Sequence, residues 1–390
     1  MKCPHCLAEL KYRERRDKKC PQCRKQFALE PRENALKMSD LRLRGLAERL
    51  SHQGTYRYTP TQLAHFAIRR ELEPALKNGW VWKEPSTLVA AILFGAVFLI
   101  GMSCILFVVA ETRSLSAAMT AILFGLVFGL AAAGIYYWTA RSSNPYRRLL
   151  PVLETFATTY VSPWTSVHGP LPGQTTDQEI AALRRVPLHP SRVRAVLASP
   201  VIAVLDCLRI NGLSERLGLA LLPTDGPYLE ADERTLALLR QNPRLPLLLI
   251  HDASVAGCLL PALLPGKWGL APNHRIIDLG LRPRHVKQRR LPWKREQTPQ
   301  ELIDLLERRA RMPGGPGLDK DELEWLRQGF VTSALFIPPA QLVDVVTKAV
   351  ERLAPAPVAA PPRTSAQAVD PEAQAQAAAR AVGFMTWPQR

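Results

Sequence analysis

Four cysteines set the tightest constraint on what this chain can fold into. Cys3, Cys6, Cys20 and Cys23 form two Cys-Pro-X-Cys pairs separated by a short basic stretch, which is the ligand spacing of a tetrahedral four-thiolate metal site. Two thiolates three positions apart reach one ion from a tight turn, and Pro4 and Pro21 help fix that turn. Between residues 1 and 30 only Leu7, Leu10, Tyr12 and Phe27 are available for a core. Metal binding must therefore supply most of the local folding free energy, on the order of 10 kcal/mol. Zinc is the expected ion, in a structural role, because four protein ligands leave no open position for chemistry. A pair of disulfides or a thiol redox motif is the competing use of the same spacing. Thiolate ligation also needs a reducing, cytosol-like compartment. His5, inside the first turn, reads as a bystander.

Residues 1–30 resemble the zinc-ribbon family, with Cys3, Cys6, Cys20 and Cys23 at the ligand positions. The resemblance specifies a fold far more than a function. Leu10-Lys11-Tyr12 and Lys25-Gln26-Phe27 read as short strands around the metal. The remaining cysteines, Cys104, Cys207 and Cys258, stand alone in apolar surroundings and read as small buried hydrophobes.

Charge is unevenly shared along the chain. Of the formal net charge of +17 over 390 residues, residues 1–83 hold 19 Lys or Arg against 9 Asp or Glu, whereas 84–140 hold only Glu84, Glu111 and Arg113. Within that uncharged middle, residues 87–110 and 115–139 are apolar runs without a charge, each long enough at about 1.5 Å per residue to cross about 30 Å of hydrocarbon. They are expected to form a two-helix transmembrane hairpin rather than a buried hairpin of a soluble domain. Arg69, Arg70, Lys77 and Lys83 before it, and Arg141, Arg147 and Arg148 after it, place both termini on the cytoplasmic side of a bacterial inner membrane. The Gly125 and Gly129 pair suits close packing within the hairpin or a homodimer. The first run starts too far into the chain for a cleaved signal peptide.

Residues 36–80 read as a basic helical module, winged-helix-like, in which Thr59, Pro60 and Gln62 mark a capped helix start. Residues 141–191 read as a juxtamembrane linker, and 354–390, rich in Ala and Pro, as a disordered tail. From 192 to 352 the pattern is α/β with a mostly parallel sheet: helix 201–210, strand 217–222, helix 231–240, strand 245–250 and strand 275–279, then trailing helices.

Within this domain the runs 207–216, 221–227, 251–257 and 278–283 together resemble the Toprim domain of the topoisomerase VI A-subunit family. That resemblance implies a magnesium site built from a glutamate and an Asp-X-Asp before a glycine. Asp252 matches the first aspartate and Gly257 the glycine, but Ser254 replaces the second aspartate and no acid stands near Ser199 or Pro200. Magnesium and strand cleavage are therefore not expected, with Asp252 the one weak catalytic candidate and a helix-capping role its plainer reading. No Ser-His-Asp array, P-loop or His-Glu-X-X-His motif accompanies it.

Arg282, Arg284, Lys287, Arg289, Arg290, Lys294 and Arg295 form a dense basic stretch suited to nucleic acid, to anionic lipid or to plain solvation. The expectation for the whole chain is a non-catalytic, zinc-binding inner-membrane protein that displays its cytosolic domains as a scaffold for a protein partner. The alternative is a membrane-tethered nucleic-acid binder or Toprim-type nuclease.

Overall fold

The computed structural model describes residues 1–77 apart from Arg16, and residues 145–353 apart from Pro187, Pro227, Pro313 and Gly314. At the N-terminus each Cys-Pro-X-Cys turn closes through its own backbone. Leu7 N donates to Cys3 O and Cys3 N to Ala8 O, and the second turn repeats this with Arg24 N to Cys20 O and Cys20 N to Lys25 O. Leu7 and Arg24, the residues just past each second cysteine, both adopt left-handed backbone, φ 61° and 59°. In place of strands, single antiparallel bridges Lys2–Glu9 and Lys19–Gln26 join the arms. The buried core of this ribbon is Cys3, Leu10, Cys20 and Phe27. Leu7, expected inside, is 61% exposed.

Helices α1 (Asp40–Leu50) and α2 (Pro60–Lys77) follow. The capping box at α2 is present: Gln62 N donates to Thr59 Oγ1, and Thr59 N donates back to Gln62 Oε1. Residues 145–184, read as a linker, are instead helical: α3 (Pro145–Phe156), a π turn over Ala157–Val161, α4 (Ser162–His168) and α5 (Asp177–Arg184). The module at 36–80 does not close on itself as a winged helix. Tyr58 forms a parallel bridge with Gln174, Leu36 N donates to Tyr160 Oη, and Gly173 lies so close to Ser51 that a Cβ there would stand 2.6 Å from Ser51 Cβ. Segments before and after the intervening residues thus share one helical layer.

The α/β part contains β1 (Ala195–Ser199), α6 (Ile202–Ile210), α7 (Leu213–Leu217), β2 (Leu219–Pro223), α8 (Glu230–Gln241), β3 (Leu247–Leu249), α9 (Val255–Trp268) and β4 (Ile276–Asp278). Its four strands are all parallel in the order β2-β1-β3-β4. Side-chain alternation explains why these strands read as unbroken apolar runs. Val196, Ala198, Ala220, Leu222, Leu247 and Leu249 pack with Leu236, Leu239, Leu264 and Trp268 of α8 and α9. The other set, including Leu197, Leu221 and Leu248, is equally buried. Then come α10 (Pro283–Arg289), β5 (Lys294–Arg295), α11 (Gln300–Ala310), α12 (Lys320–Arg327), β6 (Phe330–Val331) and α13 (Pro339–Leu353), with β5 and β6 antiparallel. Cys207 and Cys258 are buried as expected.

The expected transmembrane hairpin is corrected. Among the described residues no helix is long and apolar enough to cross a membrane. The 18-residue α2 carries Arg69, Arg70, Glu71, Glu73 and Lys77, and charges at that density cannot lie in hydrocarbon. The runs 87–110 and 115–139, with Gly125, Gly129 and Cys104, lie outside the described residues, as does the tail from 354. The expected inner-membrane location, with the orientation drawn from flanking charges, is corrected with it.

The ribbon is tied to the rest of its unit by Asp40. This fully buried carboxylate accepts Ala28 N and Leu29 N, each at 2.8 Å, and lies 2.5 Å from His168 Nε2. Asp40→Ala would leave two buried amide donors without an acceptor, each costing about 1–3 kcal/mol. Urea denaturation should show the variant destabilised by about 3 kcal/mol, with Asp40→Asn between it and the wild type.

Candidate metal centre

The two knuckles bring Cys3, Cys6, Cys20 and Cys23 together, their sulfur atoms all within 4.8 Å of one another. Cys3 Sγ to Cys23 Sγ and Cys6 Sγ to Cys20 Sγ each measure 3.7 Å. Disulfide sulfurs lie about 2.05 Å apart, so this is the spacing of four ligands around one metal ion. Among the described residues it is the one cluster of His, Cys, Asp or Glu able to hold such an ion. Cys3 and Cys20 are buried, Cys23 is half-buried and Cys6 is exposed.

Backbone polarity prepares the sulfurs unequally. The N–H groups of Cys23 and Gln22 hold the Cys20 thiol down to about 7, against the effect of burial. For Cys6 the Ala8 N–H also favours the thiolate, but burial and the three neighbouring sulfurs outweigh it and push the group up to about 11. Ligation must therefore displace protons, and metal affinity falls as pH falls. His5 is not among the ligands. Its Nε2 lies 3.0 Å from Gln26 O, joining the two knuckles, and its ring centroid stands 5.3 Å from that of His168.

The residues proposed for chemistry in the α/β part do not converge. Asp252 follows β3 but does not cap α9; Ser254 does so, accepting from Gly257 N at 3.0 Å. Asp252 Oδ1 instead accepts Ala334 N at 2.7 Å and Ser333 Oγ at 3.3 Å, tying the sheet to the turn before α13. Burial raises its carboxyl group above the usual range, with the Ala334 N–H opposing the shift. At the end of β1, Ser199 Oγ accepts Val201 N.

The buried pair is His251 with Asp278, across adjacent strand ends. His251 Nε2 lies 3.0 Å from Asp278 Oδ1, and its Nδ1 lies 2.8 Å from the Asp252 carbonyl. Gly280 N and Arg282 also donate to Asp278. With an acceptor at each nitrogen, the surroundings favour the protonated imidazole, in which both N–H groups can donate. A Cβ on Gly280 would come within 2.0 Å of the His251 ring, so glycine is what allows the ring to lie there. The adjacency of His251 and Asp252 in sequence concealed this partnership, because neighbouring strand residues face opposite ways.

Most of the basic stretch has internal partners. Arg282 pairs with Asp278, the Arg284 guanidinium stands 3.9 Å from Glu322, Arg289 donates to Gln341, and Lys294 pairs with Glu296. Lys287, Arg290 and Arg295 are exposed.

Burial alone would lower His251, but the charge of Asp278 and hydrogen bonds to Asp278 and to the Asp252 carbonyl raise it above the ordinary value of 6.5. A folded state that holds the proton more tightly than the unfolded chain gains stability that is full below about pH 6.5 and is lost as pH rises through the folded value. Denaturant melts from about pH 6 to 9 should show that decline, and His251→Gln should be less stable at low pH and flatter across the window. A protein-family model, a curated protein or a solved structure that matches this chain is not found, so the geometry of the chain itself carries the functional argument.

Proposed function

We propose that this chain is a non-catalytic binding scaffold whose N-terminal ribbon is stabilised by one structural zinc ion. The observation that carries the reading is the sulfur spacing. Zinc–thiolate bonds of about 2.3 Å in a tetrahedron set neighbouring sulfurs about 3.8 Å apart, beside the 3.7 Å of the Cys3–Cys23 and Cys6–Cys20 pairs. Cys3, Cys6, Cys20 and Cys23 would hold the ion, which would supply folding free energy and leave no position for a substrate.

The rest of the reading follows from how the polar groups are spent. Asp252 serves the turn at Ser333-Ala334, and Asp278 serves His251, Gly280 and Arg282. Carboxylates engaged in this way brace loops; they do not gather around a divalent cation. The ribbon is bonded through Asp40 to the helical layer, which makes it a fixed projection rather than a module on a tether.

Elemental analysis of the purified chain should find one zinc per molecule. A strong chelator, or Cys20→Ser, should abolish amide protection in residues 1–30 by hydrogen exchange while the strands of the α/β part stay protected. Metal-free protein with an intact ribbon would overturn the structural role of zinc. Magnesium-dependent DNA cleavage that disappears in Asp252→Ala would overturn the non-catalytic reading.

A further inference from the structure

The second knuckle differs from the first in charge. From Lys18 to Gln26 the sequence has Lys18, Lys19, Arg24 and Lys25 and no acid. Lys18 pairs with Glu33. Lys19, Arg24 and Lys25 are exposed, and among the described residues none of the three side chains has a hydrogen-bond or ion-pair partner. This contrasts with the dense stretch after residue 281, where Arg282, Arg284, Arg289 and Lys294 are engaged internally. The cations of α1 are likewise engaged where Arg42 meets Glu71 and Arg44 meets Glu48.

The three free cations stand on rigid backbone. Lys19 is bridged to Gln26, Cys20 N donates to Lys25 O, and Arg24 N donates to Cys20 O. Arg24 occupies a left-handed position, φ 59°, which glycine would fill without strain. A cation therefore stands where local conformation alone would favour glycine. Residues 1–27 contain nine Lys or Arg against three acids, a surplus larger than the two net negative charges of a divalent ion with four thiolates.

We propose that Lys19, Arg24 and Lys25 form a phosphate grip for double-stranded nucleic acid. This names a partner class for the scaffold and rests on the metal-stabilised ribbon proposed above. The ribbon supplies charge without a stacking surface. Phe27 is buried, and Tyr12 is covered by the guanidinium groups of Arg32 at 4.5 Å and Arg15 at 5.6 Å. Single-strand recognition depends on exposed aromatic faces, whereas duplex is gripped through its backbone, without sequence readout.

The test uses the full chain and a labelled mixed-sequence DNA duplex, titrated over a series of salt concentrations, with metal content measured on every sample. The wild type should bind at low salt. The variant carrying Lys19→Glu, Arg24→Glu and Lys25→Glu should bind more weakly, and its log–log salt slope should flatten by about 2.7, or about 0.9 per lost phosphate contact. Lys287→Glu with Arg290→Glu should leave the slope as in the wild type. If the triple variant loses its metal, the same three positions changed to Gln replace it, with the same expected flattening. Metal-loaded wild type that fails to bind duplex at low salt overturns the grip and leaves the structural metal standing. An unchanged slope in the metal-loaded knuckle variant, loss confined to the 287/290 variant, or binding to phosphatidylserine vesicles but not to duplex also overturns it. Wild type without metal overturns the ribbon reading and the grip with it.

Discussion

Three donors converge on the carboxylate of Asp40: the amides of Ala28 and Leu29 at the exit of the ribbon, and the imidazole of His168 at the end of α4. An acid buried this completely is costly unless each oxygen is satisfied, and here the partners come from two segments, the adjacent Ala28 and Leu29 and the distant His168, 128 positions away. The four-cysteine cluster gathers residues 1–27 into two knuckles, and Asp40 receives the chain as it leaves them. His168 then closes the contact, packed at a tilt of 39° against Trp164 with ring centroids 4.3 Å apart and near His5 of the first knuckle. Ligand geometry at the cysteines is thus mechanically continuous with α1 and α4. Loss of the metal would free the residues that present two of the three donors to Asp40.

The α/β part uses the same device at its own strand ends. Four parallel strands leave their carboxyl ends on one edge, where open α/β folds commonly place ligands. In this chain that edge is occupied by internal bonds. Asp278 takes His251, Gly280 N and Arg282, while Asp252 takes Ser333 and Ala334. The acid of each strand end thus reaches a later segment of the chain and fixes it against the sheet. These carboxylates hold together β3, β4 and the approach to α13.

Legibility in the sequence followed how local each determinant is. The knuckles were readable because their spacing, Pro4 and Pro21 act within a few residues, and the capping box at Thr59 and Gln62 was readable for the same reason. Strands β2, β3 and β4 were readable as apolar runs because both faces of the sheet are buried, whereas β1 (Ala195–Ser199), equally buried, was not read as a strand. Asp40 was hidden behind Ser39, which has the commoner capping role and fills it, accepting from Arg42 N. The pairings of Asp40 with His168 and of His251 with Asp278 carry no local signal, since the partners lie 128 and 27 positions apart. The internal pairing of the basic stretch after residue 281 was not readable, because a run of cations in sequence does not show where Asp278, Glu322 and Glu296 will come to lie. The helical layer was hidden in another way: residues 36–77 and 145–184 each look incomplete alone because they are bonded to each other, as the Leu36 N to Tyr160 Oη hydrogen bond and the Tyr58–Gln174 bridge show.

Charge placement separates the interior from the surface on one physical basis. Where a cation can reach an acid within the fold, as Arg184 and Arg209 both reach the buried Asp206, it holds elements together. Pairs of that kind are strengthened by low dielectric and are costly to break singly. The second knuckle has no acid between Lys18 and Gln26, so Lys19, Arg24 and Lys25 remain exposed to solvent. Exposed cations on a flexible loop lose conformational entropy when they meet a polyanion. On a hairpin whose backbone is closed by Cys20 N to Lys25 O and the Lys19–Gln26 bridge, the backbone share of that cost is met during folding. The same constraint that makes the ribbon dependent on its cysteines therefore makes it a better presenter of charge than the denser basic stretch beyond residue 281.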